Sequence, residues 1–261
     1  MGNTGNILHL SFFSLFKINN FAWSAYNKCV EEIKIIQNGL DSLYMSYLFG
    51  KVRERFSFLP ATCQLEQVDD CTKIAFQTDS AYCPYVRKYA EEHIVDVLAV
   101  GYKYAFFEKQ LPLPMLEPIK RRILLTALVA ADYPEDKVLI ARRVRGFTSY
   151  CLDGLFHFRL QELKKRWEEV INYVPLDMGE EGMEGFLEFV AEDGQGKIFL
   201  KSGKAYDEEY RPLTKSLLTG VSSLIGEVLL SGAERIYCFG EVDEETANFL
   251  KKYYREKVIF C

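Results

Sequence analysis

The chain has 261 residues and a formal net charge of −5, with 49% of its residues apolar and 26% charged. That length buries a sizeable core, as one large domain or two small ones, and the composition is that of a globular chain rather than a disordered one. The net acidity excludes a whole-molecule attraction to nucleic acid or to an anionic membrane.

Near the start, "NILHLSFF" alternates Leu8 and Leu10 with His9 and Ser11, the period of a strand. The apolar run Ile7–Ile18 is interrupted by His9, Ser11, Ser14 and Lys17, which makes it too short and too polar to span a bilayer. No cationic segment precedes it, as a secretory signal requires. "MGNTGN" carries Asn6 where a myristoylation signal has Ser or Thr. These features predict a cytoplasmic protein.

Helical patterns follow at Trp23–Gln37 and Leu40–Arg55, divided by Asn38-Gly39. "CTKIAFQTD" reads as a strand with Ile74 and Phe76 on one face. From Pro84 to Lys109 a long helix places Val86, Ala90, Ile94, Val97, Leu98, Gly101 and Ala105 on one side. His93 lies beside that stripe, where a partly buried, hydrogen-bonded role is expected. Three prolines in "LPLPMLEP" end the helix.

Two helices are then predicted, Pro118–Asp132 and Glu135–Tyr150, broken at "DYPED". The stretch "LDGLFHFRLQELKKRW" reads next as a helix capped by Asp153. Its residues Phe156, Leu160, Leu163, Trp167, Val170 and Val174 form a seam that Pro175 closes. His157 falls one step off the seam, within reach of a local pair with Asp153. The remainder predicts a helix Met183–Ala191, a turn at "EDGQG", a hairpin "KIFLK"/"KAY" with Ser202-Gly203 at its tip, and a helix Pro212–Leu230. A strand "RIYCF", a helix Asp243–Tyr254 capped by Asp243 and a strand "KVIFC" complete a parallel β-α-β crossover.

The expected class is therefore α+β, helix-rich, with a helical middle flanked by short N-terminal strands and by a C-terminal hairpin plus β-α-β unit. Three regions are marked out: an α/β region 1–115, a basic helical region 116–175 and an α/β region 176–261, which one compact domain could also contain.

The seven cysteines include no CxxC pair, and the three histidines, His9, His93 and His157, form no HExxH. Reduced, mostly buried cysteines are expected. There is no GxGxxG, GxxxxGK[ST] or GxSxG sequence, and the acids of "FGEVDEE" would repel a phosphate. No cofactor, metal site or catalytic residue is predicted.

The charge distribution is less uniform. Ile119–Arg166 holds eleven Lys and Arg against five Asp and Glu, whereas Glu168–Asp193 holds nine acids and neither Lys nor Arg. Gathered on one surface, Arg142, Arg143, Arg145, Arg159, Lys164, Lys165 and Arg166 would make a nucleic-acid or partner-binding footprint. The competing reading pairs them with the acidic segment.

"RRVRGF" followed by "LDGLFHFRLQEL" resembles the middle signature of the YtxC-like family of sporulation proteins of endospore-forming bacteria, through Leu152, Gly154, Leu155, Phe158, Arg159 and Leu160. The order "EGFLEFV", "KIFLKSGKAYD" and "ERIYCFG…FLKKYYREKVIFC" is similar to that family's C-terminal half. The likeness covers Lys137–Cys261; the first eighty residues match poorly. It implies a cytoplasmic role in sporulation and carries over no catalytic residue. The expected function is non-enzymatic binding of a protein partner. The alternatives are a nucleic-acid contact through the basic middle, or an enzyme whose residues converge only in three dimensions.

Overall fold

A computed structural model describes residues 30–39, 42–56, 59–192 and 194–261. The strand expected at Asn6–Phe13, the first turns of the helix expected from Trp23, His9 and Cys29 lie outside the described residues. The rest of that first helix is instead a strand, β1 (Val30–Asn38). Ile33 and Ile35 are fully buried while Glu32 and Lys34 between and beside them are not, so alternation at period two decides the conformation. Gly39 turns the chain at φ 97° before α1 (Leu43–Phe56). β2 (Ala61–Val68), a strand not expected from the sequence, forms a hairpin with β3 (Cys71–Asp79), where Ile74 and Phe76 are buried as predicted. Its tight turn uses Asp69 at φ 53° where glycine is the commoner choice.

The long helix is continuous but not uniform. α2 (Cys83–Asp96) passes into a π-helical segment, Val97–Tyr102, and then into α3 (Lys103–Gln110). The predicted stripe is buried up to Gly101, whereas Ala105 is exposed, because the wider π turn rotates the face that follows it. α4 (Pro118–Ala131) and α5 (Tyr133–Val144) come next. α5 stops short of the expected Tyr150. Gly146 takes φ 90°, and Ser149–Cys151 becomes β4, parallel to β1, with Tyr150 fully buried.

Leu152–Gly154 makes one helical turn, α6, followed by a second π segment, Leu155–Arg159, and then α7 (Gln161–Tyr173). Asp153 does not cap this helix and does not pair with His157. Its carboxylate accepts from the Asn38 backbone N–H and from the Tyr102 hydroxyl, both at 2.8 Å, and so ties the turn to β1 and to the first π segment. α8 (Glu180–Glu192) is longer than predicted because its first turn is acidic and suits the positive end of the helix dipole.

β5 (Lys197–Lys201) and β6 (Lys204–Tyr206) form the expected hairpin, with Ser202 at φ 50° and Gly203 at φ 71°. The helix predicted over Pro212–Leu230 is broken. A 3₁₀ turn, Lys215–Thr219, ends at Gly220 (φ 87°), and Ser223 caps a separate α9 (Leu224–Ser231). β7 (Arg235–Phe239), α10 (Glu244–Tyr253), capped by Asp243 as predicted, and β8 (Val258–Phe260) complete the chain.

The fold is α+β, with strand orders β2-β3-β1-β4 and β6-β5-β7-β8. β5, β7 and β8 are mutually parallel. Buried residues of both sheets and of the helices between them form one contiguous core, and α4 packs on α8 and α9. Among the described residues no helix is long and apolar enough to cross a membrane. The six described cysteines are free; Cys83 and Cys238 are buried but Cys151 and Cys261 are exposed, so burial is less general than expected.

Candidate partner-binding face

The face begins with how α7 is held. Leu160, Leu163 and Trp167 are buried as the seam predicts, with Val170 and Val174 half-buried. The Trp167 Nε1–H donates to Asp136 Oδ2 on α5 at 2.9 Å. At the other end of the pair, Arg143 of α5 meets Glu162 of α7 at 2.8 Å, so the two helices run antiparallel. Behind them Lys103 is fully buried, 2.7 Å from Asp136 and 3.5 Å from Asp132, with its ammonium over the rings of Phe107 and Trp167. Burial raises the Asp136 carboxyl, and the Lys103 ammonium and the Trp167 donor act against that rise.

This packing turns the charged ends of α5 and α7 outward together. Arg142, Arg143, Arg145, Arg159, Lys165 and Arg166 are exposed and Lys164 is half-buried. Lys164 lies over the Phe156 ring at 5.0 Å, and Arg159 lies over Phe147 at 5.3 Å. Arg143 is committed to Glu162. Among the described residues no ion pair within 4.0 Å falls on Arg142, Arg145, Arg159, Lys165 or Arg166. The acidic segment instead reaches Lys120, through Glu180 at 2.6 Å, and Lys252, through Glu184. Pairing with that segment therefore accounts for Lys120 but not for the clusters at 142–145 and 164–166.

Phe158, read from sequence only as part of a signature, is 81% exposed between His157 and Arg159, both also exposed. The π segment is the cause, since its extra residue per turn takes Phe158 away from the buried side that Phe156 occupies. Its distance from the 156–160–163 seam was the available signal. α7 also exposes Glu162, Glu168 and Glu169, so cations and acids are interspersed on this face.

A second group of buried ionisable side chains lies between α1, α2, α5, the 3₁₀ turn and α9. Tyr133 donates to Asp96 Oδ1 at 2.5 Å, and His93 Nδ1 lies 3.4 Å from Asp96 Oδ2. His93 is half-buried between the rings of Tyr89 and Tyr47, as its place beside the stripe suggests. Burial works to raise the Asp96 carboxyl, but the nearby His93 imidazole, the Lys215 charge and the Tyr133 hydrogen bond outweigh it and hold it below its ordinary value. Burial pulls the Lys215 ammonium down, with Asp96 opposing. Glu227 is buried and accepts from Ser216 N–H at 2.8 Å, Ser216 Oγ at 2.6 Å and Lys215 N–H at 3.1 Å. A cleft of about 710 Å³ beside the carboxyl ends of β5 and β7 reaches Glu227 and Thr214, but His93, Asp96 and Tyr133 do not line it. The network thus joins residues of α1, α2, α5, the 3₁₀ turn and α9.

Comparison of the chain with known protein families, with curated proteins and with solved structures finds no match in any of the three.

Proposed function

We propose that the protein is a non-enzymatic binding protein that holds an acidic protein partner against the outer face of α5 and α7, acting in the cytoplasm during bacterial sporulation. The observation that carries the binding reading is the set of exposed cations, Arg142, Arg145, Arg159, Lys165 and Arg166, without an ion pair among the described residues, together with the exposed Phe158 next to Arg159. Arginine and a large aromatic are the side chains that dominate protein interfaces. The acids Glu162, Glu168 and Glu169 among them favour an acidic protein, whose own few cations can face them, over a phosphate backbone, which they would repel. The sporulation setting rests on the likeness of Leu152–Leu160 to the YtxC-like family.

The test compares the wild-type chain with R142E/R145E/R159E as immobilised bait in extracts of a sporulating bacterium. The expected result is a captured protein released by moderate salt and bound about tenfold or more weakly by the variant, as like charges at a contact require. Identical captures by both chains would remove the face from consideration. Duplex DNA should give no mobility shift at low salt; a stable, salt-sensitive shift would make the partner a nucleic acid instead.

A further inference from the structure

We propose a second binding site, independent of the α5–α7 face: the outer side of the C-terminal sheet is a stacking platform for single-stranded nucleic acid. The strands alternate, so each sends half its side chains to either side. Ile198, Leu200, Ala205, Ile236 and Cys238 are buried against the core, and α9 packs on β5 and β6. The register aligns the opposite set across the sheet: Tyr206 beside Phe199, Phe199 beside Tyr237, and Tyr237 beside Ile259. Phe199 is the hub of the cluster. Its ring centroid lies 5.5 Å from Tyr237 and 6.1 Å from Phe239, with interplanar angles of 29° and 30°.

Tyr210 stacks on Phe199 from outside at 4.8 Å and 7°, and is 65% exposed. It is held there at φ 57° by a turn in which the Asp207 carboxylate accepts from the Glu209 and Arg211 backbone N–H groups and from Arg211 Nε. A non-glycine residue in the left-handed region is an uncommon conformation, here fixed by those bonds. The aromatic surface is therefore preorganised, with Tyr210 and Phe239 exposed and Phe199, Tyr206 and Tyr237 half-buried beside them.

Charge selects the occupant, because the acids beside Tyr210 are already engaged, Asp207 and Glu209 by Arg211 and Glu208 by the Lys197 backbone N–H. Every charged side chain in these four strands is a cation: Lys197 and Lys201 on β5, Lys204 on β6 and Arg235 on β7. Lys197 and Lys201 share the parity of Phe199, Arg235 shares that of Tyr237, and Lys204 pairs in register with Lys201, so all four belong to the aromatic side. All four are exposed, and among the described residues none has an ion pair within 4.0 Å. Ring faces at the centre with unpaired cations at the rim fit unstacked bases joined by phosphates. A duplex keeps its bases stacked and cannot use the rings.

The test is fluorescence anisotropy of a labelled oligothymidylate and an oligouridylate of about fifteen nucleotides, with the full-length chain at low salt. Binding is expected, with a negative dependence on salt and no binding of a duplex. Tyr237→Ala should weaken it about tenfold, the loss of one stacked base, and Tyr237→Phe should restore it. Tyr210→Gly, in a surface turn that glycine also suits, should weaken binding similarly with no effect on folding. R142E/R145E should leave it unchanged, which separates this site from the helical face. No binding by the wild-type chain, or binding abolished only by R142E/R145E, would overturn the proposal. So would a concentration-dependent dimer that Tyr210→Gly disperses while no oligonucleotide binds, which would assign the face to a second copy.

Discussion

Trp167 shows how much one side chain can depend on a contact that sequence does not display. Its burial follows from the seam, but its indole N–H donates to Asp136, which also neutralises the fully buried Lys103. Trp167→Ala should therefore destabilise the protein by about 3–5 kcal/mol, the cost of deleting a large core aromatic. His157→Ala, on an exposed position of the preceding turn, should stay within about 0.5 kcal/mol. Urea unfolding of the two variants checks both, and equal losses would contradict the packing described. Glu227 supplies a pH-dependent counterpart. Burial raises its carboxyl above the ordinary value of 4.5, and the Ser216 and Lys215 donors offset only part of that rise. The folded state then holds the proton more tightly than the unfolded state. The resulting stabilisation is present below 4.5 and is lost as pH rises through the raised folded value. Glu227→Gln cannot titrate, so its stability relative to wild type should climb with pH across that window. Parallel urea midpoints for the two chains would show that Glu227 is not perturbed.

At the scale of elements, the two π segments are the departures from regular geometry that matter most, and they touch through Tyr102 and Phe156, whose rings lie 4.9 Å apart. Gly101 sits in the first segment because a Cβ there would fall 2.5 Å from Tyr44 Cε1, and the Tyr44 hydroxyl donates to the Gly101 carbonyl at 3.0 Å. Gly101→Ala should displace Tyr44 and cost about 1–3 kcal/mol, the range for overpacking a filled core. A thermal midpoint unchanged by this substitution would mean that Tyr44 yields freely. Periodicity located α2, α3, α4, α8 and α10, and β3, β5, β7 and β8 were legible as short apolar runs between turn residues. β1 was not, because "VEEIKIIQN" satisfies a helical spacing as well as a strand alternation. Its pairing with β3 and β4 decides between them. β4 was hidden for a related reason: three residues carry too little pattern, and Tyr150 becomes a strand residue only beside Ile35.

For the whole molecule, the sequence by itself determined the α+β class, the C-terminal β-α-β unit, the buried seam of α7 and the concentration of positive charge over Ile119–Arg166. These are local quantities, set by spacing, capping and composition within a few turns of chain. The candidate binding faces were only partly legible in it. Arg142, Arg145 and Lys164–Arg166 could be named, but not whether the acids of Glu168–Asp193 would neutralise them, because ion pairing depends on which helices lie side by side. The sheet platform was not legible at all. Phe199 on β5 and Tyr237 and Phe239 on β7 come from separate stretches of the chain, and only the parallel register of β5 and β7, with the turn at Asp207 that returns Tyr210, brings the four rings together. The buried pair of Lys103 and Asp136, 33 residues apart, was decided in the same way. A charge can leave water only where another element brings its partner within hydrogen-bond distance, and that meeting belongs to the tertiary structure.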